Sequence, residues 1–274
     1  MSDILVIGAF VSFVLFLVLR QQRTYAAAAG WACMVLNLWS ELPAFLKEDN
    51  FLYPVLAVLS LPFLAITVER LLRADPVVLR LSRTAAIATI IFVPFALLPF
   101  LRDALISVVV TLTFGLITAL GHSPHMAAWD IIAENAFYNR IILGCTGIIA
   151  IALMLGIVFG EKNLSWRQAV LAFLLVVLPV FILNLLRVSV VFIAVSDTWF
   201  ASFPDPRPGA MDDANFFWAH NVIAEGLAIL FLLALMWGLV RIIPDLGVFA
   251  RELVGVYRES LRGLMSGIWN SIRR

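Results

Sequence analysis

Long apolar runs separated by short polar connections recur along the whole of this 274-residue chain. A helix that crosses a bilayer needs about 20 predominantly apolar residues, so runs close to that length are candidate spans. Runs of this kind lie at 3–19, 25–46, 51–69, 84–101, 141–160, 168–196 and 217–243. The pattern predicts an all-α, polytopic membrane helix bundle with about seven transmembrane spans.

A further apolar run, 103–120, is separated from the run at 84–101 by a single residue. Lys and Arg mark the cytoplasmic side of membrane proteins, and they cluster in the tail and in the connections 20–23, 70–83 and 161–167. Residues 121–140 then fall outside, so the stretch 84–120 has to cross an odd number of times. We therefore expect 103–120 to be an outer interfacial or re-entrant helix, with the N-terminus outside and the C-terminus cytoplasmic.

The two ends of the chain have patterns of their own. The first apolar run lacks a preceding basic stretch and a small-residue cleavage site, so we expect it to be kept as the first span. The stretch 244–274 places apolar residues on one helical face, which predicts an amphipathic tail helix at the cytoplasmic membrane surface. These apolar residues are Leu246, Phe249, Leu253, Val256 and Tyr257.

Composition supports lipid as the solvent of this chain. Hydrophobic residues make up 63% of it and charged residues only 14%, whereas a soluble domain carries about 25% charged residues. The net charge of +1 and the absence of a basic stripe exclude a nucleic-acid-binding surface. Two cysteines provide neither a disulfide framework nor a Cys-rich zinc motif. No P-loop or GxSxG motif occurs, and no cofactor is predicted.

Arg187 is the most unusual polar residue, because it lies inside the apolar run VLPVFILNLLRVSVVFIAV. It is about 13 Å from the outer end of that helix at 1.5 Å per residue. A charge at such a depth costs a few kcal/mol and usually faces a protein interior or a site. Asn184 is one turn earlier on the same face. The alternative interpretation is a structural ion pair that joins helices.

Two other residues are candidates at the same membrane face. Cys145, with Thr146 and two glycines around it, lies near the outer end of the run at 141–160. His220 begins the outer part of the last span. A lone membrane cysteine often only packs, and an interfacial histidine often only binds a loop, so both alternatives stay open. Cys33 has no charged neighbour in sequence, and we assign it no role.

Further polar residues are predicted to support this site from the last and second spans. Asn221 and Glu225 lie on the last span, and Asn37 and Glu41 lie on the second. Glu225 has the same estimated depth as Arg187 and the opposite charge. We therefore predict that Arg187 is within salt-bridge reach of Glu225, directly or through one water, with Glu41 as the alternative partner.

These residue types fit nucleophilic catalysis. A thiol attacks only as a thiolate, and an apolar setting opposes that ionisation, so a base or a cation has to be close. His220 could take the thiol proton, and Arg187 could stabilise an oxyanion. A metal site made by His122, His125 and His220 is a weaker hypothesis, because no HExxH motif or Cys pair is present.

At these positions the chain resembles the exosortase/archaeosortase family, over roughly 100–237. The segment GCTGIIAIAL is similar to the family's cysteine motif at Cys145. NLLRV is similar to its arginine motif at Asn184 and Arg187, and WAHNVIAEG to the region of its third catalytic residue at His220. Cys-Thr-Gly is typical of archaeal members, whereas His at the third position is typical of exosortases.

The resemblance implies a membrane cysteine transpeptidase, with Cys145, Arg187 and His220 as catalytic residues. Its partners would be exported proteins that carry a C-terminal tripartite sorting signal, and a membrane lipid as acceptor. The domain interpretation is then a membrane-embedded catalytic domain over 1–243, followed by the tail helix at 244–274. We expect a multi-pass protein of the cell membrane, with its site near the extracytoplasmic face.

A hypothesis from another class remains open, namely a non-enzymatic membrane protein. A small-solute transporter or an assembly scaffold could use Arg187 and Glu225 as a translocation or structural pair. Transporters often consist of paired halves with helices broken at mid-membrane. The sequence has no such symmetry, and Pro179 is the clear mid-span helix breaker near the site.

Overall fold

A computed structural model describes residues 2–47, 52–204 and 214–272 of the chain. The helices before the first strand are α1 (Ser2–Val18), α2 (Arg23–Lys47), α3 (Leu52–Leu72), α4 (Pro76–Leu97) and α5 (Pro99–Ala119). Three strands follow, β1 (His125–Ala128), β2 (Ile131–Glu134) and β3 (Phe137–Arg140). The remaining elements are a 3₁₀ turn (Leu143–Thr146), α6 (Ile148–Phe159), α7 (Trp166–Ser196), α8 (Ala214–Phe216), a π-helix (Phe217–Ala224), α9 (Glu225–Ile242) and α10 (Pro244–Ile272).

The predicted polytopic membrane helix bundle is confirmed. Within the described residues, five helical segments are long and apolar enough to cross a membrane: Tyr53–Leu72, Pro76–Leu97, Pro99–Ala119, Trp166–Ser196 and Ala214–Ile242. Their large apolar side chains stay exposed along α3, α7 and α9, as a lipid surround requires. Since α1, α2 and α6 are not among these five, the number of about seven spans stays a prediction. The interfacial placement of 103–120, of which 103–119 lie in α5, also stays a prediction.

Local sequence explains where two of the long helices begin. Before α4, the Asp75 carboxylate accepts hydrogen bonds from the backbone N–H of Val77 (2.9 Å) and Val78 (3.4 Å), and Pro76 occupies the first helical position. Before α7, Ser165 and Gln168 bond to each other's backbone N–H groups in a capping box.

The chain forms two compact units. The first consists of Met1–Val93, Leu155–Ala169 and Leu239–Arg274. In it, α1, α2 and α3 pack in chain order, and Trp31 lies in the core, edge-on to Phe13 and Phe63, with its indole N–H bonded to Ser82 Oγ (2.9 Å). The amphipathic tail helix α10 is present. In α10, Leu246 and Phe249 are buried.

The second unit consists of Pro94–Met154 and Val170–Gly238 and contains the candidate site. Its main core joins one face of α5 to one face of α7, with β2 between them in sequence. The buried members are Ile106, Val109, Val110, Ile117, Ile132, Ile141, Val188, Phe192 and Ile193. A smaller cluster joins α7 to the π-helix through Val191, Ala194, Val195, Ala219 and Ala224.

A small antiparallel sheet in the order β1-β2-β3 interrupts the otherwise helical chain. β2 and β3 are joined by a two-residue turn, in which Asn135 has a φ of 55°. Asn is one of the few residues that adopt this left-handed conformation readily, and Asn-containing turns of this length suit hairpins. The sequence predicted only an outer connection here, so the sheet is a new finding.

The sheet also changes the helix predicted over 141–160. β3 ends at Arg140, the Ile141 N–H bonds to the Asp130 carbonyl (2.8 Å), and regular α-helix begins only at Ile148. Gly147, with a φ of 78°, separates the 3₁₀ turn from α6. The prediction that Cys145 lies within a continuous transmembrane helix is therefore wrong. Strand pairing and the left-handed glycine keep this stretch out of α6.

Candidate active site

The turn that carries Cys145 is fastened to α7 by Asn184. The Asn184 side-chain amide donates a hydrogen bond to the backbone carbonyl of Cys145 (2.7 Å). A Cβ added at Gly147 would lie 3.3 Å from Asn184 Cβ and Cγ, so the backbone and this side chain are in close contact. Asn184 is buried. Its amide therefore fixes where the Cys145 backbone lies relative to α7.

Cys145 itself is half-buried and packs against the main core cluster of the second unit. Thr146 holds the turn together, because its hydroxyl donates to the Leu143 carbonyl (2.7 Å) and accepts from the Ile148 N–H (3.4 Å). The first turn of α6 follows directly after Gly147. The Cys145 Sγ has no hydrogen-bond partner within the described part of the chain.

Arg187 lies one turn after Asn184 on α7, and its guanidinium touches His220. The Arg187 Nη2 and the His220 Nε2 are 3.2 Å apart. A guanidinium can only donate, so Nε2 accepts this bond and the proton of the neutral ring is on Nδ1. Nδ1 then donates to the Asn221 Oδ1 at 2.8 Å. The two contacts together select one tautomer of His220.

The helix that carries His220 has a π-helical register from Phe217 to Ala224. The Glu225 N–H bonds to the His220 carbonyl, five residues back, so Glu225 lies one π turn beyond His220 on the same side. A regular α-helix would rotate the two residues about 140° apart. Phe216 stacks on the imidazole, with the ring centroids 4.9 Å apart and an interplanar angle of 11°. Such π-helical segments are frequent at functional sites.

Comparison with known proteins gives the family. The transmembrane exosortase family model matches residues 2–204, which is most of the chain. The chain belongs to the transmembrane exosortase family. The match includes Cys145, Asn184 and Arg187 and ends before His220.

Two curated relatives of this exosortase family member are both named archaeosortase A. The protein from Natronomonas pharaonis is 29% identical over 197 residues, and the match covers 65% of this chain and 62% of that protein. The protein from Haloferax volcanii is 26% identical over 253 residues, 83% of each chain. The chain thus matches less than two thirds of the length of the first relative. No solved structure matches.

In this exosortase family member, the predicted direct salt bridge between Arg187 and Glu225 does not form. No carboxylate among the described residues lies within salt-bridge distance of the Arg187 guanidinium. The Arg187 Nη2 contacts the His220 Nε2 instead. The buried Arg187 Nε has no hydrogen-bond partner in the part of the chain that the structure describes. The prediction rested on the charge and the estimated depth of Glu225, and equal depth does not bring two side chains into contact. A contact through one water stays a prediction.

Two of the predicted supporting residues belong to the first unit. Asn37 and Glu41 are on α2 in the first unit, where the Asn37 carbonyl accepts a hydrogen bond from Ser40 (2.8 Å). Their supporting roles stay predictions. His122 has Glu134 at 3.3 Å and Asp197 at 3.8 Å. Within the described residues, no three His, Cys, Asp or Glu side chains are arranged to hold a metal ion.

Sequence reasoning missed two contacts at the edge of the site. Phe216 covers one face of His220, and its spacing of four residues was a signal that could have suggested contact. Asn135, at the tip of the β2–β3 hairpin, donates to the Ser196 Oγ at the end of α7 (3.0 Å). That second contact depends on tertiary structure, and no local sequence pattern indicates it.

Proposed function

We propose that this protein is a membrane cysteine transpeptidase. In this proposal it cleaves the C-terminal sorting signal of exported proteins and transfers the new C-terminus to a lipid anchor. Membership of the exosortase family and similarity to two proteins named archaeosortase A support it. Cys145 is the nucleophile, His220 the base and Arg187 the oxyanion donor.

One observation carries the proposal: a single turn of α7 connects the candidate nucleophile to the candidate base. Asn184 bonds to the backbone of Cys145, and Arg187, three residues later, bonds to His220. Residues three apart lie on the same helix face. A half-buried arginine inside an apolar membrane-spanning helix, without a carboxylate partner among the described residues, is expensive as a structural element alone. The transporter or scaffold hypothesis, which uses an Arg187–Glu225 pair, has no such contact to support it.

The resting geometry keeps the base occupied until substrate binds. Arg187 donates to the lone pair of His220 Nε2, the atom that would accept the thiol proton. When a substrate carbonyl enters, its oxygen takes the guanidinium N–H groups and Nε2 becomes free. The Nδ1–H bond to Asn221 holds the ring in the required tautomer. Binding of substrate therefore both supplies the electrophile and releases the base.

Acylation of Cys145 is the first chemical step. The Cys145 thiol gives its proton to Nε2, and the sulfur attacks the carbonyl carbon of the scissile amide. The tetrahedral oxyanion accepts bonds from Arg187, whose buried Nε has a donor free of described partners. The imidazolium donates its proton to the leaving nitrogen, the C–N bond breaks, and a thioester remains on Cys145.

Transfer reverses these steps with a different nucleophile. A lipid headgroup with a hydroxyl or an amine gives its proton to Nε2 and attacks the thioester carbonyl. The C–S bond breaks, and the thiolate regains the proton from the imidazolium. Water in place of the lipid would give simple hydrolysis, so the mass of the product distinguishes a transpeptidase from a protease.

Trapping of the acyl-enzyme tests this function. The full chain in lipid vesicles is mixed with a reporter made of a secreted domain, an extended linker, an apolar helix and a basic tail. We expect mass spectrometry to find a hydroxylamine-sensitive adduct on Cys145 and none on Cys33. An uncleaved reporter without an adduct, across linkers taken from exported proteins of the same cell, would refute the function.

The proposal also includes an orientation in the cell membrane, with the site near the extracytoplasmic face. The cluster of basic residues at 70–83 and 161–167 supports it. A membrane-impermeant maleimide added outside cells should label cysteines introduced at 121–140 and in 197–216, of which 205–213 lie outside the described residues. Cysteines introduced at 70–83 and 161–167 should stay unlabelled. Labelling of 121–140 only from the cytoplasm would mean that α5 crosses the membrane.

A further inference from the structure

A cavity of about 560 Å³ lies in the second unit beside the candidate active site. Its described lining comes from the β2–β3 hairpin, the end of α7 and the residue before the π-helix: Asn135, Ala136, Phe137, Val195, Ser196, Thr198 and Phe216. Val195 is buried, whereas Asn135, Ala136 and Thr198 are exposed. The cavity therefore has an apolar floor and an open polar rim.

The cavity shares walls with the catalytic residues. Phe216 lines it and also stacks on the His220 ring. Phe137 lines it and packs against the same core cluster as Cys145. A group held in the cavity is therefore separated from the base by a single aromatic ring. This adjacency indicates a place for the part of the substrate next to the bond that is broken.

The walls of the cavity are held in place before any ligand binds. The Asn135 amide donates to Ser196 Oγ (3.0 Å), which joins the hairpin tip to α7. Directly before the hairpin turn, the Glu134 carboxylate accepts from the Ser123 N–H (2.8 Å) and lies 3.3 Å from His122. Sites of this size and rigidity, apolar with a few polar groups, are typical of specific ligand pockets.

The absence of charge in the described lining favours a peptide over a phosphate-bearing ligand. The described lining residues carry no charge, and they combine two aromatic rings and Val195 with two hydroxyls and an amide. A phosphate headgroup would need cationic partners, which the described lining does not provide. An extended peptide suits it, because its backbone can bond to the rim while a large apolar side chain fills the floor.

We propose that this cavity is the specificity pocket for the exported substrate, binding an uncharged extended segment with a large apolar side chain beside the scissile bond. The inference rests on the proposed transpeptidase function and adds the substrate chemistry at one subsite. Ala136 is an exposed residue of the lining, so a larger side chain there would occupy the rim of the pocket. Ala127, an exposed residue of the same sheet that does not line the cavity, provides the matched control.

The first test changes the pocket and the substrate together. The reporter described above is made with Trp, Leu, Ala or Asp at each linker position in turn. We expect one position to require a large apolar residue. There, Ala136→Trp should lower processing about tenfold or more, the effect of losing one buried apolar contact. A small residue at that linker position should restore processing by Ala136→Trp, and Ala127→Trp should behave as wild type.

The second test measures binding without catalysis. In the Cys145→Ser chain, benzoylphenylalanine replaces Ala136 or, as control, Ala127, and the reporter is photocrosslinked. A crosslink from position 136 to the linker, with none from position 127, supports the pocket. If the wild-type chain then leaves the reporter uncleaved, only the transpeptidase function is refuted. Cleavage by wild type without a crosslink from 136 would overturn the pocket and leave the function. A crosslink from 136 to lipid instead of the linker would also overturn it.

Discussion

The two cysteines of this chain differ in what their surroundings allow them to do, although both are free thiols and both are half-buried. Cys33 lies inside the regular helix α2, and a Cβ added at Gly8 of α1 would lie 3.1 Å from its Sγ. Its sulfur therefore fills the contact between two helices. Cys145 instead lies on a single 3₁₀ turn before α6.

The comparison teaches that backbone and neighbours distinguish the two thiols better than burial does. A cysteine that only packs, as we interpret Cys33, requires no particular bonding partner. The Cys145 backbone is bonded by Asn184, the same helix presents Arg187 one turn later, and Arg187 bonds to His220. A packing cysteine does not need these contacts. We therefore expect substitutions around the two thiols to have different effects.

Replacement of the two cysteines should give opposite results. We expect Cys145→Ala and Cys145→Ser to abolish processing of a co-expressed substrate, because no other described group in the site is a comparable nucleophile. Cys33→Ala should leave processing unchanged and cost only a small packing loss, about 1 kcal/mol for one lost buried group. Immunoblotting measures processing, and membrane fractionation measures insertion. Normal processing by Cys145→Ala would remove the distinction between the two residues.

Arg187→Ala should have the next largest effect, a loss of about 10²–10³-fold in kcat, as for removal of an oxyanion donor. The variant also leaves His220 Nε2 without its partner in the resting state. Arg187→Lys should restore only part of the rate, because an ammonium lacks the planar fork of donors. Single-turnover kinetics on vesicles measure the loss. The control is Arg140→Ala, whose exposed guanidinium pairs with Asp130 on the sheet; an equal loss there would contradict a specific role.

The helices and the residues of the site were predictable where the sequence itself carries the signal. The run at 168–196 corresponds closely to α7 (Trp166–Ser196), because long continuous apolar runs define membrane helices. Asn184 and Arg187 were expected on one face, and they act on Cys145 and His220 from that face. Polar residues inside apolar runs are rare enough to stand out.

Features that depend on tertiary pairing were not predictable. Strands of four residues, such as β2 and β3, are too short for a periodic pattern to appear. The π register from Phe217 to Ala224 has no local sequence signature, and it changes which residues lie beside His220. Depth counted along the helix indicated Glu225 as the direct partner of Arg187, whereas the guanidinium contacts His220.

Asn184→Asp should disturb the position of Cys145 without removing its thiol. This change keeps the shape of the side chain but removes the N–H that bonds to the Cys145 carbonyl. We expect kcat to fall by about 10²-fold with little change in KM, since displacement of a reacting group by about 1 Å has such an effect. Labelling with iodoacetamide should change for Cys145 and stay constant for Cys33. Ser189→Ala, on the same helix with a buried hydroxyl that has no described partner, is the control.

If Asn184→Asp raised KM and left kcat unchanged, Asn184 would belong to substrate binding rather than to positioning of the nucleophile. If Ser189→Ala were equally damaging, the loss would reflect packing of α7 in general.

Glu225→Gln should have the smallest effect, less than about tenfold in kcat. Glu225 lies one π turn beyond His220 and forms no ion pair with Arg187. It acts on the imidazole only through its charge, and such partly exposed charge interactions contribute about 1 kcal/mol or less. The substitution preserves volume, so packing of α9 should not change.

Glu225→Gln should lower the rate rather than raise it, because a nearby carboxylate stabilises the imidazolium that forms when His220 takes the thiol proton. We therefore expect slower acylation, measured as a lower rate of thioester formation on Cys145, with Cys33 labelling unchanged. A loss as large as that of Arg187→Ala would mean that Glu225 contacts the reacting atoms, and a faster rate would mean that the thiol proton does not go to His220.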